Sequence, residues 1–181
     1  MQGAISPLDR SMRICAQART VEVMVADNSA LHAAVGVVEP GDVLVCDAHG
    51  YEDQAIWGGL MTQSATEHRL AGLVIDGAVR DSDEIIEAGF ATFARAVVPA
   101  GPHKGFGGVI DGPVSCGGVV VRPGDLILGD ADGVVVVPFA RADEVFAAAQ
   151  EILAKEQRAL AELAKGGTLS DIYGVPEITK I

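Results

Sequence analysis

Aromatic residues make up only 4% of this 181-residue chain, with one tryptophan, two tyrosines and five phenylalanines. A core must therefore be assembled from valine, isoleucine, leucine and alanine, which suits close-packed strands and small-residue helices. Basic residues are also scarce, 13 against 25 acidic ones, for a formal charge of -12. Such a chain repels phosphate backbones unless its cations cluster, and no cluster is visible, so no nucleic-acid partner is expected. Cys15, Cys46 and Cys116 are the only cysteines and form no CxxC pair. They read as free thiols of a reducing compartment. No apolar run approaches the roughly 20 residues that span a bilayer, and no charged leader precedes a cleavable apolar stretch. The expectation is a cytoplasmic protein without a membrane partner.

Several chemical signatures are missing as well. No GxGxxG follows the first strand, no GxxxxGK[ST] is present, and neither HExxH nor a calcium loop occurs. Ser64 and Ser115 lack the GxSxG elbow. Dinucleotide, P-loop, zincin and serine-hydrolase readings lose their usual support.

What the sequence has is glycine, 22 residues of it, and an alternation of strand-like and helix-like segments. The first twenty residues read as a loop with a short strand. "VEVMVADN" reads as a strand and "SALHAAVGVV" as a helix capped by Asn28 or Ser29. Val43 to Cys46 and Tyr51 to Trp57 read as two separate strands, "GGLMTQSATEHRL" as a helix, and "AGLVIDG" as a strand. "DSDEIIEAG" follows as a short helix, then "FATFARAVVPA" as a strand. Later runs, "VVVRPGD", "LILGDADG" and "VVVVPFA", are strands divided by RPGD and DADG turns. Arg141 to Lys165 reads as a helix whose packed side is drawn from Val145, Phe146, Ala149, Ile152, Leu160 and Leu163. The last residues, from Gly166, read as a tail. This order predicts one α/β domain over residues 1–181, a layered α/β sandwich with a mixed central sheet. Residues 1–20 form a short N-terminal segment, and residues 141–181 a C-terminal helix and tail.

Chemistry concentrates in "GLVIDGAVRDSDEI". With Asp76 and Gly77 read as a turn, Arg80 and Asp81 fall beyond the strand's carboxyl end, the edge where open α/β sheets bind ligands. Arginine suits a bidentate grip on a carboxylate or keto acid, and aspartate offers a hard oxygen to Mg²⁺ or Mn²⁺. The plainer reading is a helix start, with Asp81, Asp83 and Glu84 complementing the dipole. "GGLMT" is a second candidate, because the N–H groups of Gly59, Leu60 and Met61 at a helix start can receive an anion. A simple glycine turn is the alternative. His32, His49, His68, His103, Asp47, Asp111, Asp130 and Asp132 form no ligand spacing, and Asp130 and Asp132 in "GDADG" read as turn formers.

Taken together, "GGLM", "GLVIDGAVRDSDEI", "FARAVVPAGP", "PVSCGGVVVRPGDLILGDADGVVVVP" and the late "AKE" resemble the class II pyruvate aldolases of 4-hydroxy-4-methyl-2-oxoglutarate and 4-carboxy-4-hydroxy-2-oxoadipate. That family also holds the regulator of ribonuclease E activity, and its members are often mislabelled as demethylmenaquinone methyltransferases. The resemblance covers about Val21 to Lys155. It implies trimers or a hexamer with sites at subunit boundaries. It implies that Arg80 stabilises a pyruvyl enolate and that Asp81 ligates the metal. Gly58, Gly59, Leu60 and Met61 would then hold the pyruvate carboxylate. The activity implied is metal-dependent cleavage of a small 4-hydroxy-2-oxo acid to pyruvate, with oxaloacetate decarboxylation through the same electron sink. The alternatives are a non-enzymatic regulator of an RNA-processing ribonuclease, or a related metal enzyme on another small organic acid. Two departures stand out. Gly59 occupies the position of a family aspartate, for which His49 or Glu52 of "HGYED" are possible substitutes. The N-terminus is expected to be shorter than usual, without the family's first helical segment. Glu156 of "AKE" corresponds to a glutamate given to a neighbouring subunit's site, or else lies on the open face of a long helix.

Overall fold

A computed structural model describes residues 1–176 and 179. It separates into two compact units, Met1–Phe139 and Ala140–Ile181. The first carries ten strands and three helices, in the order β1 (Ser6–Pro7), β2 (Ile14–Val23), α1 (Ser29–Val35), β3 (Val43–Trp57), α2 (Gly59–Glu67), β4 (Gly72–Val79), α3 (Ser82–Glu87), β5 (Thr92–Val97), β6 (Gly108–Ile110), β7 (Val114–Cys116), β8 (Val119–Val121), β9 (Leu126–Asp130) and β10 (Gly133–Val137).

The main sheet runs β1-β5-β4-β3-β2-β9-β10, with β6 on β2, and β7 and β8 form a separate hairpin. Strands β2, β3, β4 and β5 are parallel neighbours, while β1, β6, β9 and β10 join antiparallel. Each parallel step is made through a helix, as a crossover requires. Every residue of β4, "GLVIDGAV", is buried, because the strand has a neighbour on each edge and a packed layer on each face. One core joins the helices to the sheet, with Leu31 and Ala34 of α1, Met61 and Ala65 of α2 and Ile85 of α3 packing on Leu44, Leu73 and Ile75. The other, around Val45, Val74, Phe93 and Ile127, is closed by Val114, Cys116 and Val121 of the β7–β8 hairpin. The protein is thus an α/β sandwich with a mixed central sheet, as the alternation of segments predicts.

Four local readings change. β2 begins at Ile14, inside the segment expected to be a loop with a short strand and continuous with the strand expected from Val21, and Met24 to Asp27 lie beyond it. Its "ICAQAR" alternates buried and more exposed residues, with Ile14 to Gln17 paired to β9 and Ala18 onward to β3, a tertiary support that its weak local pattern does not announce. The two strands expected from Val43 to Trp57 are one, interrupted against β4 where Asp47 pairs Asp76 and Tyr51 pairs Gly77. Asp76 and Gly77 are not a turn but lie within β4, which runs on to Val79. Asp76 is tolerated there because its carboxylate accepts from Arg95 Nε at 2.6 Å and from the Gly117 N–H at 2.7 Å. Neither Asn28 nor Ser29 caps α1 with its side chain. Asp27 instead accepts from the Ser29 N–H at 2.8 Å.

The turns behave as read, with Asp130 accepting from the Asp132 N–H at 2.9 Å and Asp125 from the Arg122 N–H at 2.9 Å. All three cysteines are free. Burial pushes the Cys46 and Cys116 thiols up, which keeps both as inert apolar groups.

The second unit holds α4 (Ala142–Leu163) and α5 (Leu169–Tyr173). Of α4's apolar residues Phe146, Ile152, Leu153 and Leu160 remain exposed and only Ala159 is buried, so the packed side expected from the sequence is largely open. The expected tail contains α5, opened by Thr168, whose hydroxyl accepts from the Asp171 N–H. Its last residues lie outside the described ones. Among the described residues no helix is long and apolar enough to cross a membrane.

Candidate active site

The carboxyl ends of three adjacent strands coincide, since Trp57 pairs Val79 and Val79 pairs Val97. The segments that leave them must therefore meet at one edge. Gly58 and α2 follow β3, Arg80 and Asp81 follow β4, and Ala100 to Lys104 follow β5. Two backbone bonds fix the junction, Arg80 N–H to Trp57 O at 2.9 Å and Val98 N–H to Val79 O at 2.9 Å. Trp57 anchors the floor, stacked on Phe90 with ring centroids 6.1 Å apart and donating to Thr62 Oγ1 at 2.8 Å.

Asp81 decides between the two sequence readings of the RD pair. It occupies the cap position of α3 but makes no side-chain bond to that helix. Its backbone is left-handed, φ 55° and ψ 42°, a region that costs a non-glycine residue energy and recurs at functional sites. Its carboxylate instead accepts from the Gly59 N–H at 3.0 Å and lies 3.5 Å from Arg80 Nε. Asp83 and Glu84 supply the acidic first turn of α3. Helix capping therefore does not account for Asp81.

Arg80 lies between two glycines. A Cβ on Gly58 would sit 2.9 Å from Arg80 Cγ and 2.6 Å from Asp81 Oδ2, and a Cβ on Gly101 would sit 2.8 Å from Arg80 Nη1. Both side chains of the pair keep access to solvent, 42% for Arg80 and 36% for Asp81. Gly58 is extended, with φ -168°, so its backbone would accept alanine and only the contacts forbid it. The variant G58A is expected to melt close to wild type while losing about tenfold in kcat/KM, short of the roughly 10²-fold that 1 Å of misplacement costs. Circular dichroism melts beside steady-state kinetics check this. An unchanged kcat/KM would detach Gly58 from the site.

The cavity so formed is about 80 Å³ and includes Gly58, Leu60, Met61, Arg80 and Asp81 in its lining. That is small beside the roughly 300–1,000 Å³ of drug-sized ligand sites and suits a small acid. The N–H groups of Gly59, Leu60 and Met61 open α2 and have no partners within it, the first being given to Asp81. Three further lining residues went unselected in the sequence. Asn28 is 4% exposed and its Oδ1 has no partner, while its Nδ2 reaches only Met61 Sδ at 3.4 Å. His32 and Lys104 add cationic or donor groups, and burial, helped by Lys104, holds the His32 imidazolium below its ordinary range. The one available hint was Lys104 itself, a lone cation within the glycine-rich "GPHKGFGG".

The proposed substitutes for an acid at position 59 lie elsewhere. His49, itself left-handed at φ 59°, bonds Val23 O through Nε2 at 2.9 Å and lines a different cavity with Phe106 and Val109. Glu52 is 3.9 Å from Arg95 Nη1. Glu156 is on α4 of the second unit and is exposed. The carboxylate that does stand beside Gly59 is Glu84, which a Cβ at that position would overlap.

A divalent cation fits this donor set in one way. Among the described residues no three histidine, cysteine or acidic side chains converge, so a site fully enclosed by protein ligands is absent. Asp81, accessible and turned off its own helix, suits Mg²⁺ or Mn²⁺, hard ions held through one or two carboxylates that retain several waters.

An α/β sheet with an arginine, an accessible carboxylate and a helix N-terminus at its carboxyl edge offers the groups that a small organic anion would need. The RraA-like model, described as aldolase/RraA, matches residues 1–136, and the chain belongs to that family. A Halalkalibacterium halodurans protein provisionally named 4-hydroxy-4-methyl-2-oxoglutarate aldolase is 40% identical over 157 residues, 87% of this chain and 75% of its own. The structure of the RNA-processing inhibitor RraA from Thermus thermophilis is similar with a TM-score of 0.71 at 30% identity, covering 76% of this chain and 84% of that one. A Geobacillus kaustophilus chain named S-adenosylmethionine: 2-dimethylmenaquinone methyltransferase is similar with a TM-score of 0.70 at 34% identity, covering 74% and 83%. All three names fall within the range expected from the sequence motifs.

Proposed function

We propose that this protein is a divalent-metal-dependent carbon–carbon lyase that cleaves a small 4-hydroxy-2-oxo acid to pyruvate through an enolate. The observation that carries the reading is Asp81, held in a left-handed backbone with its carboxylate directed to Arg80 and the start of α2 and away from α3. The name of the H. halodurans relative supports the substrate class.

The substrate's carboxylate lies at the start of α2, against the free N–H groups of Leu60 and Met61, where the helix dipole favours an anion, while Asp81 holds the Gly59 N–H. That contact directs the 2-oxo oxygen to Arg80. As the C3–C4 bond breaks, negative charge grows on this oxygen, and a guanidinium already in place stabilises it without reorganisation. Asp81 would hold Mg²⁺ or Mn²⁺, which supplies further positive charge to the same oxygen. Lys104 and His32 suit a second anionic group further along the substrate, and the orphaned Asn28 Oδ1 suits a donor on substrate or water. Oxaloacetate needs only the electron sink, so its decarboxylation belongs to the same reading. In this proposal the enzyme is a cytoplasmic homotrimer or hexamer.

Purified protein with Mg²⁺ or Mn²⁺ is expected to release pyruvate from members of a panel of 4-hydroxy-2-oxo acids and from oxaloacetate, and a chelator should stop it. No release from any of them would sink the lyase reading. A second reading, a protein that restrains an RNA-processing ribonuclease, draws on the likeness to the T. thermophilis inhibitor. Tight capture of a ribonuclease without metal-dependent turnover would put it first.

A further inference from the structure

Retro-aldol cleavage needs two things of a site, a sink for electrons at the 2-oxo oxygen and an acceptor for the proton of the 4-hydroxyl. Arg80 and Asp81 serve the first and leave the second unassigned. Two proton acceptors are candidates, one in the cavity's lining and one outside it, beside Gly59. His32 feels the charge of Lys104, and both line the cavity with Leu60 and Met61 of the glycine nest, whose first residue is Gly59. Glu84 lies beside that first residue: α3's first turn brings its carboxylate to Gly59, into the space that a side chain at 59 would take. Among the described residues this carboxylate makes no hydrogen bond or ion pair, whereas Asp27, Asp47, Asp76 and Asp81 all accept from backbone N–H groups. The absence of a Cβ at Gly59 is what admits it.

We propose that Glu84 is a catalytic residue, the acceptor of the substrate's 4-hydroxyl proton; this rests on the lyase reading. The O–H bond breaks and its proton passes to the Glu84 carboxylate. C4 becomes a carbonyl carbon as the C3–C4 bond breaks, and that electron pair forms the C2–C3 double bond and places charge on the C2 oxygen facing Arg80. A proton then returned to C3 gives pyruvate, so neither oxidant nor reductant is needed. Glu84 and Asp81 thereby divide the work of two carboxylates around a single glycine.

Oxaloacetate has no 4-hydroxyl, and this separates the proposal from the reading beneath it. The variant E84Q keeps the shape of the side chain and loses its basicity. It should lower kcat for hydroxy-acid cleavage by about 10–50-fold with KM little changed, while leaving oxaloacetate decarboxylation and Mn²⁺ affinity, read by electron paramagnetic resonance, within about threefold of wild type. Metal-free G59D should melt below wild type, and G59D/E84A should recover the difference, because aspartate and Glu84 claim the same space. Equal loss of both reactions in E84Q, no loss of either, or selective loss in H32Q instead would overturn the assignment while the lyase reading stands. A wild-type protein that turns over neither substrate would remove both together.

Discussion

Replacing Arg80 with alanine is expected to lower kcat for pyruvate release by about 10²–10³, the cost of removing one preorganised donor from a developing oxyanion. Decarboxylation of oxaloacetate should fall in parallel, because both reactions drain electrons toward the same oxygen. The fold should not suffer. Arg80 is 42% exposed and its only ion pair among the described residues is the 3.5 Å approach to Asp81, the kind of surface contact worth about 0–1 kcal/mol. Its loss opens a gap between Gly58 and Gly101 that water can enter. Steady-state kinetics beside a thermal melt check both halves. The conservative variant R80K carries the same charge without the planar fork, and recovery of more than a small part of kcat in R80K would mean that charge alone suffices. If R80A keeps wild-type kcat, Arg80 serves binding or packing and the electron sink must be sought elsewhere.

The sheet and its site edge were legible for a physical reason. Strands such as Leu73 to Ile75 and Leu126 to Leu128 are β-branched or leucine runs, and their local preference agrees with their packing. The expected positions of Gly58 to Met61, Arg80 and Asp81 followed, because each lies at a strand end that sequence marks. Asp76 and Gly77 misled for the opposite reason. An aspartate before a glycine ordinarily makes a turn, and only a partner from another strand, Arg95, together with the Gly117 N–H of a distant hairpin, keeps Asp76 in β4. Gly77 is required there by Ala48, whose methyl group would lie 2.7 Å from a Cβ at that position. Such dependence on residues 19 and 41 positions away leaves no trace in a window of local sequence.

The same limit hid Glu84. Read along the chain, it belongs to the acidic first turn of α3 and needs no other role. Its second relation, to Gly59, exists only because α2 and α3 begin side by side at the ends of neighbouring parallel strands. A glycine where an acid was expected looked like a lost group. In three dimensions it is room made for a carboxylate that arrives from another helix.

The variant D81N is expected to weaken Mn²⁺ binding by more than about 100-fold, beyond what the loss of a merely supporting group costs, and to abolish metal-dependent pyruvate release. Asparagine is the informative substitution here. At φ 55° and ψ 42° it is among the few residues that enter the left-handed region readily, and its amide oxygen can still accept the Gly59 N–H. Alanine would confound loss of the ligand with backbone strain of about 1–3 kcal/mol. D81N should therefore melt within a few degrees of wild type, and its oligomeric state should not change. Electron paramagnetic resonance of added Mn²⁺ gives the affinity directly, with no need for turnover. Retained Mn²⁺ affinity in D81N would show that the strained backbone serves the Gly59 contact alone. In that case the cation, if the reaction uses one, must be held by groups other than the carboxylate that the fold turns away from its own helix.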